Sequence, residues 1–245
     1  MTQVMGAEVP GDWRATAAST LAWWHDAGVD LLVEEAPHDW LAAPVPVPIA
    51  PVAPVPVAAG AALPDDLPVF LAWRMGDGAP DAGWRGVAIA ASGPADAAVM
   101  VLTDCPDRED DAAGTLLAGA AGRLFDRMLA AVGLSRDRVH LASVCARRPL
   151  AGRMPAELEG QLGEVARHHV ALVAPQRLLL MGNAAARAIL GADGARARGG
   201  LQSVDHRRGK TGAVATHHPR LLLQQPACKA DAWKDLQLLM RGLAR

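Results

Sequence analysis

"AAVMVLTDCPDREDDAAGTLLAGAAGRLFDRMLAAVGLSRDRVHLASVC" runs from Ala97 to Cys145, and its reading decides the fold class. "AAVMVLTD" (97–104) is a short apolar run of the kind that forms a buried strand. "GRLFDRMLAAVGL" (122–134) sets Leu124, Phe125, Met128, Leu129 and Val132 on one helical face, and "RVHLASVC" (138–145) is a second strand. The alternation then repeats. "PAELEGQLGEVARHHVALVAP" (155–175) reads as a helix bounded by prolines and "RLLLMG" (177–182) as a strand. "NAAARAILG" (183–191) reads as a helix with Asn183 as N-cap and Gly191 as stop, "GAVATHHP" (212–219) as a fourth strand, and "CKADAWKDLQLLMRGL" (228–243) as a closing helix. Strands alternating with helices predict an α/β fold: a three-layer αβα domain around a central four-stranded parallel sheet, covered on both faces.

Upstream the composition changes. "DWRATAASTLAWWHDA" (12–27) reads as an amphipathic helix within an N-terminal helical segment, residues 1–43. Residues 44–64 are rich in Pro, Ala and Val and predict an extended, semi-stiff linker, with a tethering or protein-partner-binding role as the alternative. Residues 65–96 are expected to be a connecting segment packed on the main domain, 97–245. The apolar run "LAAPVPVPIAPVAPVPVAAGAAL" is broken by prolines and cannot form a spanning helix, so no membrane association is expected. The amino terminus lacks the basic-then-apolar pattern of a secretory leader. The three cysteines, Cys105, Cys145 and Cys228, are far apart in sequence and match neither a disulfide framework nor a zinc-ligand spacing. A reducing, cytoplasmic setting and no metal are the expectations.

The net charge of −2 conceals an asymmetry: residues 1–135 carry 6 Lys+Arg against 18 Asp+Glu, and residues 136–245 carry 18 against 8. A basic carboxyl half is the footprint of a phosphate-backbone binder, or else simply an arginine-rich solvated surface. In open parallel sheets, ligands bind beyond the carboxyl ends of the strands. Those ends carry three polar side chains, Asp104, Ser143 and His218. The loop "AGTLLAGAAGRL" (113–124) follows the first strand. Its glycines Gly114, Gly119 and Gly122 permit close backbone approach, and the helix behind it is expected to offer free N–H groups to an anion.

"TDCPDREDDAAGTLLAGAAGRLFDRMLAAVGLSRDRVHLASVCARRPLAGRMP" resembles the first half of the uracil-DNA glycosylase superfamily, nearest to family 4. That family reads roughly "GEAPGxxEDxxGxPFVGxAGxLLDxML…GL.R..VYITNVVKCRPPxNRxP", and the spacing from Pro106 to Gly119 matches without a gap. "MGNAAARAILG" resembles the family's "LGxxAAxxLLG", and "VATHHPRLLLQQPACKADAWKDLQ" resembles "VATYHPAYLLRNPxxKxxxWxDL". The resemblance implies that His218 is the histidine that hydrogen-bonds the departing base and that Asp104 takes the motif-one carboxylate's place, positioning water or stabilising the cationic sugar. It implies a base pocket built from Cys105, Pro106, Leu117, Gly119 and Ser143. DNA contacts would come from Gly122, Arg148, Arg153 and Arg220, with Leu221, Leu222 and Leu223 wedged into the duplex from the loop 220–226. Glycosylases flip the target base out of the stack.

Several positions depart from the family's pattern. Ser143 replaces an Asn that reads the uracil edge, and Leu117 replaces the aromatic that stacks on it. Asp107 replaces a glycine. Arg147 stands where "KCRPP" has its cysteine, so the family's iron–sulfur cluster is not expected and no cofactor is predicted. Two readings remain open: an active monofunctional DNA glycosylase acting on uracil or another damaged base, or a catalytically degenerate glycosylase fold serving as a DNA- or protein-binding module.

Overall fold

A computed structural model describes residues 13–26, 62–150, 152, 154–191, 194–241 and 243. The chain divides into two compact units, Met1–Pro56 and Val57–Arg245. In the first, helix α1 spans Trp13–Asp26. The Pro-rich stretch 44–61 lies outside the described residues.

The second unit holds helix α2 (Leu67–Met75), then strand β1 (Val99–Thr103), α3 (Arg108–Ala113), α4 (Gly119–Ala131), β2 (Val139–Ser143) and α5 (Ala156–Val173). It continues with β3 (Arg177–Met181), α6 (Asn183–Leu190), β4 (Leu201–His206), β5 (Gly209–Thr216), α7 (Pro219–Gln224) and α8 (Lys229–Met240). The sheet order is β2-β1-β3-β5-β4. Strands β2, β1, β3 and β5 run parallel, and β4 pairs antiparallel with β5.

Strand periodicity builds the three layers. All five β1 residues are buried, and successive side chains point to opposite faces. Met100 and Leu102 join a cluster with Leu162, Ala166 and Val170 of α5 and Ala185, Ala186 and Ile189 of α6. Val99 and Val101 join another with Phe125 and Leu129 of α4 and Leu236 and Leu239 of α8. One core therefore lies on each face of the sheet.

The four-stranded expectation is extended by β4. "LQSVDH" carries little apolar alternation and its residues are largely exposed. It is an edge strand, where one face and one row of backbone groups meet water, so the usual hydrophobic signal is missing. At the opposite edge Ser92 exchanges two backbone hydrogen bonds with Leu141 and covers β2.

Two short helices also escaped the sequence pattern. α3 starts with a capping box, in which the Asp107 carboxylate accepts from Asp110 N and the Asp110 carboxylate accepts from Asp107 N. The segment after His218, expected as a loop, is the helix α7: Pro219 occupies its first turn, and the His218 ring caps it. Asn183 is not an N-cap. Gly182 holds that position, and Asn183 opens the helix itself.

Candidate active site

The parallel register sets the site's frame. Thr103 lies beside Ser143 and Met181, and Met181 beside Thr216. The chain therefore leaves the sheet at Asp104, Val144, Gly182 and His217 along one rim.

Asp104 turns from β1 onto the start of α6. Its Oδ1 accepts the Ala185 N–H at 2.7 Å. Gly182, at φ 108°, is needed for this approach, because a Cβ there would sit 2.2 Å from the Asp104 carboxylate. Burial raises the Asp104 pKa, opposed by hydrogen bonds from Ala185 and Ala184 and by the charge of Arg220. The carboxylate lines a cavity of 670 Å³ together with Cys105, Met154, Glu157, Glu159, Asn183, Arg187 and Arg220. Two of its cations are paired with carboxylates: Arg187 with Glu159, also in the lining, at 2.8 Å, and Arg220 with Asp107, outside it, at 3.6 Å.

His218 follows β5 by two residues and is 8% exposed. Its Nδ1 accepts the Arg220 N–H at 3.2 Å. Burial first, and the nearby Arg220 charge second, lower its pKa to about 4. A neutral ring that accepts at Nδ1 must carry its proton on Nε2. At neutral pH the side chain is thus an uncharged hydrogen-bond donor. Arg220 acts electrostatically on both Asp104 and His218; Arg220 and Asp104 line the cavity, and His218 does not.

Residues 90–237 match the Uracil DNA glycosylase superfamily. This protein belongs to that superfamily. Two relatives are type-4 uracil-DNA glycosylases. The one from Pyrobaculum aerophilum is 28% identical over 171 residues, covering 65% of this chain and 85% of its own. The one from Archaeoglobus fulgidus is 26% identical over 148 residues, covering 58% and 74%. The chain is a divergent, family 4-like member.

Several other expected site residues do not line this cavity. Leu117 does not face the cavity: it is 1% exposed, at φ 52°, and packed in the core with Phe125 and Val101. Ser143 donates its hydroxyl to Cys145 O at 2.5 Å and borders a separate small cavity with Arg74 and His169. Leu222, expected as a wedge, is buried at 1%, whereas Leu223 is 44% exposed; Leu221 is half-buried. The wedge expectation assumed a loop, and a helix turns these three leucines in different directions. Pro106 is buried and Arg148 half-buried. Arg153 lies outside the described residues.

The glycine-rich loop is not an open anion site either. Asp110 accepts the Ala118 N–H at 2.6 Å and Glu109 the Ala120 N–H at 3.2 Å, so the chain's own carboxylates fill the start of α4. Gly119 and Gly122 serve close packing: a Cβ on them would lie 1.9 Å from Glu109 Oε2 and 1.8 Å from Leu117 O. Arg136 holds the same loop by donating to Leu116 O and Leu117 O at 2.9 and 2.6 Å.

Sequence reasoning missed Arg74 and Asp81, a buried ion pair behind the rim. Asp81 also accepts from Ala146 N at 2.6 Å, and Arg74 donates to Val144 O at 3.0 Å. Together they fix the segment leaving β2. Nothing in the local sequence marks them, since the partners are distant in sequence.

It also missed that Cys105 and Cys145, forty residues apart, meet at 2.7 Å between sulfurs. A cubane cluster takes four thiolates. The chain has three cysteines, two of them engaged with each other, so its residues do not fit the family's iron–sulfur group. Among the described residues, no cluster of three or more His, Cys, Asp or Glu side chains could hold a metal ion. Among them, too, no helix is long and apolar enough to cross a membrane.

Proposed function

We propose that this protein is a monofunctional DNA glycosylase that hydrolyses the N-glycosidic bond of uracil or another damaged base, in base-excision repair in the cytoplasm. The observation that carries the reading is His218, a buried neutral imidazole whose Nδ1 accepts from Arg220 N and so leaves its proton on Nε2, on the same rim of the sheet as Asp104. When the bond breaks, the electron pair leaves with the base and positive charge grows on the sugar. The Nε2–H then donates to the base as its negative charge develops. A donor matched to that charge is worth roughly 10²–10³ in rate, about 3–4 kcal/mol. Asp104 stabilises the sugar cation or orients the water that adds to it. The hydroxyl of that water stays on the sugar, its other proton neutralises the base anion directly or through solvent, and the products are free base and an abasic site.

Uracil heads the substrate panel because both relatives described above are uracil-DNA glycosylases. DNA is the partner: Arg148, Arg153 and Arg220 belong to the basic half of the chain. Of the three leucines expected as the wedge, Leu223 is exposed on α7 and takes that role, with half-buried Leu221 beside it. A protein partner for the Pro-rich segment remains part of the proposal. Ser143 bonded to Cys145 O and Leu117 buried in the core favour a second reading, in which base readout is lost and the fold binds DNA without cutting.

One experiment separates the two readings. Oligonucleotides bearing uracil, hypoxanthine, xanthine or hydroxymethyl-pyrimidines are incubated with the protein, and abasic sites are cleaved with alkali. The proposal expects release of at least one base, with His218→Ala slower by roughly 10²–10³ and DNA affinity nearly unchanged. No release from any substrate, with His218→Ala silent in binding, leaves the binding module.

A further inference from the structure

Cys105 follows Asp104 directly, and Cys145 lies two residues beyond the end of β2. The fold brings their sulfurs to 2.7 Å, within hydrogen-bond reach of each other. Both positions depart from the family pattern quoted above, which has Ala at the first and Val at the second. Two substitutions to cysteine therefore coincide in space. The two thiols are not equivalent. Cys145 is fully buried, whereas Cys105 is 8% exposed and lines the 670 Å³ cavity beside Asp104. A small oxidant entering the cavity meets Cys105 first. The segment carrying Cys145 is anchored by Asp81 and Arg74, so its sulfur stays where Cys105 needs a partner.

We propose that Cys105 and Cys145 are a reversible oxidation site, converted by peroxide to a disulfide that ties the β1 exit to the β2 exit beside the active-site cavity. The step balances. The Cys105 sulfur attacks a peroxide oxygen, the O–O bond breaks and a first water leaves, giving a sulfenic acid. The Cys145 sulfur then attacks the Cys105 sulfur, the S–O bond breaks and a second water leaves. Sulfur is oxidised, peroxide oxygen is reduced, and both thiol protons end in water. The Cys105 neighbour first, and burial second, push the Cys145 thiol up, which argues against Cys145 making the first attack. In reducing compartments, disulfides that do form are usually transient or redox-sensing.

The test needs no substrate, so it succeeds or fails independently of the glycosylase reading. The reduced full-length protein is treated with hydrogen peroxide at neutral pH. Free thiols are then counted in denaturant, the intact mass is measured, and peptides are mapped without reductant. The expected result is loss of two of the three thiols, a mass lower by two hydrogens, and one Cys105–Cys145 cross-linked peptide that dithiothreitol reverses. Cys228→Ser should leave this outcome intact. In Cys145→Val, Cys105 should stop at a sulfenic acid that dimedone traps. Retention of all three thiols, a mass gain of oxygen at Cys105 in the wild type, or a cross-link involving Cys228 would overturn the proposal. The wild-type thiol count stands even if a variant fails to fold.

Discussion

Helices α4 and α6 both begin at the carboxyl end of the sheet, and they are used differently. The start of α4 is filled by Glu109 and Asp110 and clamped by Arg136. The start of α6 also receives a carboxylate of the chain, Asp104, but this one lines an open cavity in company with Arg220. Both termini are satisfied by side chains, as helix ends must be when buried. Only the second keeps its carboxylate in contact with space a ligand can enter. A glycine-rich turn before a helix is therefore no sign of a ligand site in itself. What matters is whether the chain's own acids have closed it.

The sharpest break of this comparison is a pair of substitutions. Asp104→Ala should reduce base release by roughly 10²–10⁴, the range for a positioned acid–base group. Its effect on stability should be modest. The lost cap costs about 1 kcal/mol, and relief of a carboxylate whose pKa is raised by burial offsets it. If the melting temperature falls far while turnover per folded molecule holds, Asp104 is only a cap.

Asp110→Ala should do the reverse. Its carboxylate is 3% exposed and accepts from Ala118 N and Asp107 N. Leaving those donors unpaired should cost about 1–3 kcal/mol of stability, read by denaturant titration, with base release per folded molecule unchanged. Equal kinetic losses in the two variants would erase the distinction between the two helix ends.

The smallest effect concerns pH. The His218 pKa is lowered to about 4 from an ordinary 6.5. Between those values the unfolded chain binds more protons than the native protein, so stability should rise with pH across about 4 to 6.5 and be lost as pH falls through that window. Burial also lowers His140, and it lowers His169 to about 3, so both contribute with the same sign. His218→Gln should remove only part of the slope. Nitrogen chemical shifts should find His218 as the Nε2–H tautomer at pH 6; a midpoint near 6.5 would contradict the burial argument.

The sequence by itself determined the α/β class, the four parallel strands and the identities of Asp104 and His218 as site candidates. It could do so because buried parallel strands are continuous apolar runs and because motif spacing survives along the chain. Tertiary structure alone decided which side chains of those motifs meet a cavity. Leu117 and Leu222 turn inward because a positive φ and an unexpected helix set their directions. β4 stayed hidden because an exposed edge strand has no core face to mark it. Cys105 and Cys145, and Arg74 with the segment it holds, are contacts between residues forty and seventy positions apart. Periodicity reports which way a side chain points relative to its own element. Only the packing of one element on another fixes what it touches.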